Sequence, residues 1–153
     1  MASEPLTPAG VLALLPQREP FRFVDEILEI DDEHVVARYR FRPEADFYRG
    51  HFPGHPVTPG VLLVEAMAQA GVVAQGIWLV ARREGIEACQ KLVTVFTDAA
   101  VEFEGQVPPG ATVHIEGRKE FFRHRKLRSR VAMTLPDGTR VCSGTLSGMG
   151  VPR

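Results

Sequence analysis

The spacing of apolar and polar residues changes several times along this chain, and each change marks a different element. Over residues 7–15 the apolar positions Val11, Leu12, Leu14 and Leu15 follow a helical spacing, with Thr7 able to cap and Pro8 at the first helical position. This predicts a short helix that Pro16 stops. Residues 21–30 and 34–41 are rich in β-forming side chains and flank the polar Asp31-Asp32-Glu33, which predicts a hairpin. Residues 42–59 hold Pro43, Gly50, Pro53, Gly54, Pro56 and Pro59, a composition that favours a constrained loop.

From Gly60 or Val61 the pattern becomes apolar on every side. Residues 61–81 are interrupted only by Glu65, Gln69 and Gln75. A long helix is expected to about residue 83, ending before Gly85, with Arg82 and Arg83 in the last turn where positive charge suits the dipole. Such a stretch is long enough to span a bilayer. Three polar groups, one of them an acid, would be costly in lipid, and a helix apolar all round fits equally the centre of a soluble fold. No membrane span is therefore expected. Strands are predicted over residues 91–103, 112–122, 126–135 and 139–146, with Pro108-Pro109-Gly110 and Pro136-Asp137-Gly138 as the clearest turns.

The outline is α+β: one antiparallel sheet whose apolar face is covered by one long helix, in a single domain over residues 1–153. A helix apolar on every side needs cover beyond one sheet, which argues for a partner chain.

Composition narrows the function classes. Hydrophobic residues make up 44% and charged residues 24% of 153, the balance of a folded soluble protein. A net charge of −1 provides no overall field for nucleic acid or an anionic membrane. Cys89 and Cys142 are too few for a disulfide scaffold, which suits a reducing, cytoplasmic setting. Residues 1–10 lack the pattern of a secretion signal.

The segment with most chemical content runs Gly50-His51-Phe52-Pro53-Gly54-His55-Pro56-Val57-Thr58-Pro59-Gly60 and leads into the helix that carries Glu65 and Gln69. Prolines and glycines stiffen the backbone that holds His51, so little freedom is lost during a reaction. The first amides of the helix have no internal partner and suit an oxygen that gains negative charge. Glu65 lies five residues beyond Gly60, about 7–8 Å along the axis at the α-helical rise. Its apolar neighbours raise a carboxyl pKa, making it a proton donor near neutral pH beside an imidazole base. Gln69, one turn on, can hydrogen-bond Glu65. Taken alone, a histidine near a loop is more often a satisfied core residue, whereas a lone acid inside an apolar helix is costly unless paired or functional. His34, His55, His114 and His124 share no metal spacing. The run Arg123, Arg125, Lys126, Arg128 and Arg130 reads as a solvated face or as a docking surface for an acidic carrier protein.

Together, Gly50-His51-Phe52-Pro53-Gly54, Pro56-Val57, Pro59-Gly60-Val61-Leu62 and Glu65-Ala66-Met67-Ala68-Gln69 resemble the signature of the 3-hydroxyacyl-acyl-carrier-protein dehydratases of the FabZ type. Leu15-Pro16-Gln17-Arg18, Pro20-Phe21 and Val24-Asp25 resemble that family's N-terminal motif, and the likeness runs from Leu15 to about Gln75. The resemblance implies a hot-dog fold, a curved antiparallel sheet around a long helix, working as a homodimer or a trimer of dimers. It implies dehydration of (3R)-hydroxyacyl thioesters to trans-2-enoyl thioesters in fatty acid, polyketide or aryl-polyene biosynthesis. The substrate would arrive on the phosphopantetheine arm of acyl carrier protein, and no metal or organic cofactor would be needed. It further implies that His51 acts with Glu65 of the partner subunit, that the Val57 carbonyl orients His51, and that the Gly60 amide binds the thioester oxygen. Glu65, where FabA-type isomerising enzymes usually have Asp, points to simple dehydration. Gln17 stands where the family often has His, and Val101-Glu102-Phe103-Glu104 where a basic stretch is common; a CoA thioester is the other candidate substrate. The alternatives are a hot-dog thioesterase, which would release free thiol, and a non-catalytic acyl-binding subunit, which would release lipid intact.

Overall fold

The computed structural model describes residues 5–153; residues 1–4, part of the segment expected to carry no secretion signal, lie outside it. Helix α1, Pro8–Leu14, begins at Thr7, whose Oγ1 accepts the Gly10 N–H at 3.0 Å. This side-chain cap satisfies one of the amides a helix start leaves bare. Strands β1, Glu26–Ile30, and β2, His34–Arg40, form the antiparallel hairpin. Asp31 closes its turn by accepting the Glu33 and His34 N–H groups at 2.7 and 2.8 Å. The long helix α2 runs Gly60–Glu84, and a short helix α3, Ile86–Gln90, follows. Strands β3, Leu92–Phe103, β4, Thr112–Arg123, β5, Lys126–Thr134, and β6, Arg140–Pro152, complete the chain.

All six strands form one antiparallel sheet in the order β1-β2-β4-β5-β6-β3. The chain leaves the sheet after β2, builds α2, and re-enters at the far edge with β3. Strand β3 is therefore an edge strand, paired only with β6. Along α2 the buried residues Leu63, Ala66, Met67, Ala70, Val72 and Val73 join Val35, Ala37, Ile115, Val131 and Leu146 of the sheet in one core. Val11 and Leu15, with Phe23 and Val24 beyond them, belong to the same cluster. In α2, 67% of the most apolar stretch is buried within the domain, as suits a core helix.

Helix and sheet meet most closely where both lack side chains. A Cβ on Gly117 would lie 2.8 Å from the Gly71 Cα, a distance that real side chains do not tolerate. Here α2 widens into a π-helical stretch, Gln69–Ala74. The buried Ser129 hydroxyl donates to the Gly71 carbonyl at 2.7 Å, tying that stretch to β5.

Several expectations about elements needed correction. The strand predicted from residue 21 starts only at Glu26, because the backbone before it is engaged by a side chain of α2 (below). The loop over residues 42–59 contains one 3-10 turn, Asp46–Arg49. Helix α3 was not anticipated; five residues are too few to show a period. Strand β6 continues to Pro152, past the predicted end at residue 146, since Gly148 and Gly150 blur the alternation without breaking the pairing to β3.

Candidate active site

The loop that carries His51 is pinned from several sides. The His51 N–H donates to the Phe47 carbonyl at 3.0 Å, and the Val57 N–H to the His51 carbonyl at 3.0 Å. Pro53 and Gly54 form a turn closed by the His55 N–H on the Phe52 carbonyl at 2.9 Å. Gly54 has φ 77°, which an L side chain adopts only under strain. Farther on, Thr58 N–H reaches the Val107 carbonyl at 3.1 Å, and Thr58 Oγ1 pairs with Tyr48 Oη at 2.6 Å in a buried contact. Within this frame His51 Nδ1 lies 2.8 Å from the Val57 carbonyl oxygen. A carbonyl only accepts, so Nδ1 holds the proton and Nε2 presents its lone pair. The ring also stacks on Phe52, with centroids 4.2 Å apart.

Glu65 projects from the second turn of α2. Burial pushes its carboxyl above the ordinary carboxylate range, and the hydrogen bond from Gln69 offsets part of that rise. Gln69 is fully buried and uses both ends of its amide. Its Nε2 donates to Glu65 Oε1 at 3.0 Å and to the Phe21 carbonyl at 2.9 Å, while its Oε1 accepts the Phe23 N–H at 2.7 Å. One side chain thus fixes the orientation of the acid and anchors the segment after α1. Two backbone groups ahead of β1, the Phe21 carbonyl and the Phe23 N–H, are thus taken by Gln69 and not by a neighbouring strand.

Glu65 lines a small cavity of about 70 Å³ with Gln17, Ala68, Val72, Thr94 and Phe96. That cavity shares Val72, Val73, Thr94 and Gly148 with a deeper one of about 40 Å³, whose walls continue between helix and sheet past Ile77, Val80 and Leu127 to Cys89. Among the described residues, the Gly60 and Val61 N–H groups find no acceptor, whereas those of Leu62 and Leu63 reach the Pro59 carbonyl at 3.0 and 3.3 Å. The start of α2 therefore presents free donors and the positive end of the helix.

The structure brings Gln69 to Glu65 and Val57 to His51. It does not bring His51 to Glu65 within one chain: among the described residues no hydrogen bond joins them, and His51 does not line the cavity that holds Glu65. Val72, Thr94 and Gly148 were not foreseen as cavity walls, since a helix apolar on every side hides the facing of Val72 and the facing of the other two needs the sheet register. The basic run is largely neutralised locally. Arg125 pairs with Glu84 at 2.6 Å, Lys126 with Asp98 at 3.9 Å, and Arg128 and Arg130 with Glu120 at 3.2 and 3.4 Å.

A six-stranded antiparallel sheet on one long central helix, with a stiff histidine loop at the head of that helix, defines a hot-dog α+β fold. Among solved structures, the dehydratase heterocomplex ApeI:P from Xenorhabdus doucetiae superposes with a TM-score of 0.74 at 16% identity, covering 96% of this chain and 93% of that one. A thioesterase from Pseudomonas aeruginosa gives a TM-score of 0.59 at 15% identity, covering 84% of this chain and 81% of that one. At such identities these two share the fold alone. The FabA-like domain family matches residues 15–145, well beyond the N-terminal half where the motifs lie. A 3-hydroxyacyl-acyl-carrier-protein dehydratase FabZ from Herpetosiphon aurantiacus is 39% identical over 142 residues, 92% of this chain and 95% of that one. The FabZ of Thermus thermophilus is 36% identical over 137 residues, 90% and 92% of the two chains. The chain belongs to the FabA-like family, among its FabZ-type dehydratases, and is an enzyme of the hydro-lyase class.

Proposed function

We propose that this protein dehydrates (3R)-hydroxyacyl thioesters, delivered on acyl carrier protein for fatty acid synthesis, with His51 as base and Glu65 as acid. The observation that carries this reading is a carboxyl kept protonatable by burial, oriented by Gln69, at the edge of an apolar cavity. His51 Nε2 takes the proton from C2, whose acidity the thioester supplies. The C2 electron pair forms the new double bond to C3 as the C3–oxygen bond breaks. Glu65 gives its proton to the departing oxygen, so water and a trans-2-enoyl thioester leave together. The Gly60 N–H faces the thioester oxygen, where negative charge grows as C2 loses its proton. These side chains provide both proton transfers without a cofactor. The proton gained by His51 and the one lost by Glu65 are restored through water.

The acyl tail fits the paired cavities between α2 and the sheet, whose walls Val72, Ile77, Val80 and Leu127 are apolar. The site needs a second copy of the chain. Strand β3 is a long unpaired edge with Val95, Phe96 and Phe103 about half exposed, a surface that invites another strand. Phe96 walls the Glu65 cavity, and Phe103 lies against Gly60, 3.1 Å from the position of a Cβ there. A homodimer built along β3 therefore covers both halves of the site and lets His51 of one subunit meet Glu65 of the other; three such dimers can assemble further. Residues 1–153 act as a single domain, and two buried unpaired cysteines suit the cytoplasm.

The test is mass spectrometry of products from 3-hydroxyacyl groups of graded length on acyl carrier protein and on CoA, with His51→Ala and Glu65→Gln as controls. Enoyl product lost in both variants is expected. Free thiol without enoyl product, or acyl chains recovered intact, contradicts the reading.

A further inference from the structure

Gln17 lies in the turn after α1, and its side chain lines the cavity that holds Glu65. The backbone of that turn is set by Arg22, which donates from Nη2 to the Leu15 carbonyl at 3.0 Å and from Nε to the Gln17 carbonyl at 2.9 Å. The side-chain Oε1 of Gln17 is buried and has no hydrogen-bond donor among the described residues. Buried amide oxygens are almost always satisfied, so a bare one in a cavity calls for a ligand that donates. Of the other cavity walls, Ala68, Val72, Val73, Phe96 and Gly148 have no side-chain donor to offer it, and neither the Thr94 hydroxyl nor Glu65 makes a hydrogen bond to it.

Glu65 has a matching asymmetry. Its Oε1 is held by Gln69 Nε2, which leaves Oε2 to carry the acidic proton. To receive that proton, a substrate hydroxyl must turn a lone pair toward Oε2 and its own hydrogen elsewhere. We propose that Gln17 Oε1 accepts the hydrogen of the substrate's C3 hydroxyl and so aims the oxygen lone pair at Glu65. The proposal rests on the dehydratase reading above. Gln17 gains and loses no proton: the hydroxyl keeps its hydrogen, receives a second from Glu65, and departs as water still donating to Oε1. The contact also gives selectivity, because a saturated chain or the enoyl product leaves Oε1 unpaired again.

Gln17→Met removes the acceptor at nearly constant length, and Gln17→His restores one on a ring nitrogen. With the melting temperature and oligomeric state unchanged, Gln17→Met is expected to raise KM about tenfold, as for loss of one neutral hydrogen bond made on binding, and to lower kcat as well because the lone pair is no longer aimed at Glu65. Gln17→His is expected to recover part of that loss. In the wild-type protein a saturated acyl carrier should bind about tenfold more weakly than its 3-hydroxy counterpart, and Gln17→Met should erase the difference. Wild-type kcat in Gln17→Met, or equal wild-type binding of the two carriers, overturns the proposal. Equal weakening of both carriers by Gln17→Met also overturns it, since that marks a shape effect. Wild-type protein that forms no enoyl product defeats the dehydratase reading itself and this proposal with it.

Discussion

Gln69→Met is the most informative single substitution, because Gln69 joins the stability of the fold to the chemistry of Glu65. Methionine keeps the volume and removes three hydrogen bonds, those to Phe23 N–H, the Phe21 carbonyl and Glu65. Phe23 is 2% exposed, so its N–H is left buried and unpaired, at a cost of about 1–3 kcal/mol. Phe21 is 50% exposed, and its carbonyl can turn to water at a cost of under about 1 kcal/mol. The expected loss is about 1–4 kcal/mol, a large share of a typical domain stability. Urea unfolding at matched protein concentration measures it, with an unchanged m-value showing that the midpoint shift is a stability change. The same variant makes a prediction about pH. Burial raises the Glu65 pKa and the Gln69 hydrogen bond pulls it down, so removing that bond raises it further. If Glu65 is the proton donor of the proposed mechanism, activity falls as pH rises through its pKa, and the alkaline limb of the kcat/KM profile moves to higher pH in this variant. An unchanged urea midpoint, or an alkaline limb displaced to lower pH, refutes the role assigned to Gln69.

Three further predictions follow from contacts elsewhere. In Gly117→Ala the new Cβ meets the Gly71 backbone at 2.8 Å, and a loss of about 1–3 kcal/mol is expected in thermal unfolding; Gly76→Ala, whose nearest neighbour is Leu127 at 4.0 Å, should cost nothing. At Gly148 a Cβ would lie 2.8 Å from both Val72 Cγ1 and Thr94 Cγ2, at the junction of the two cavities, so Gly148→Ala should abolish turnover of the longest chains and spare the shortest. A length profile identical to wild type would remove the deeper cavity from the acyl path. His34 is raised above the ordinary histidine range, first by its hydrogen bond to Glu29 and then by Asp31. Its stabilising effect is therefore complete below the unfolded pKa and is lost as pH rises through the raised folded value. Melting temperatures from about pH 5 to 8 should fall less steeply in His34→Gln than in wild type.

Much of this was readable from residue spacing, for identifiable reasons. Helix α2 announces itself because it is apolar on every side and stops at Gly85, and the stiff loop because prolines and glycines crowd residues 50–60. Glu65 stands out as an acid where burial makes charge expensive. What stayed hidden depends on partners far away in the chain. Residues 21–25 carry β-forming side chains, yet the Phe21 carbonyl and the Phe23 N–H are claimed by Gln69, which local propensity cannot show. The walls Thr94 and Gly148 depend on the register of β3 against β6, and the facing of Val72 and the unpaired oxygen of Gln17 on a cavity that exists only once α2 is laid on the sheet. The π-helical widening at Gln69–Ala74 answers to Gly117 and Ser129, both on strands formed much later in the sequence.

The central claim is that each reaction centre takes its base from one chain and its acid from another. It is tested most directly by co-expressing His51→Ala and Glu65→Gln subunits with different affinity tags and purifying the mixed dimer through both. Such a dimer has one centre with neither substitution, so it should recover about half of the wild-type turnover, while each variant alone stays inactive. A mixed dimer as inactive as its parents would contradict the account.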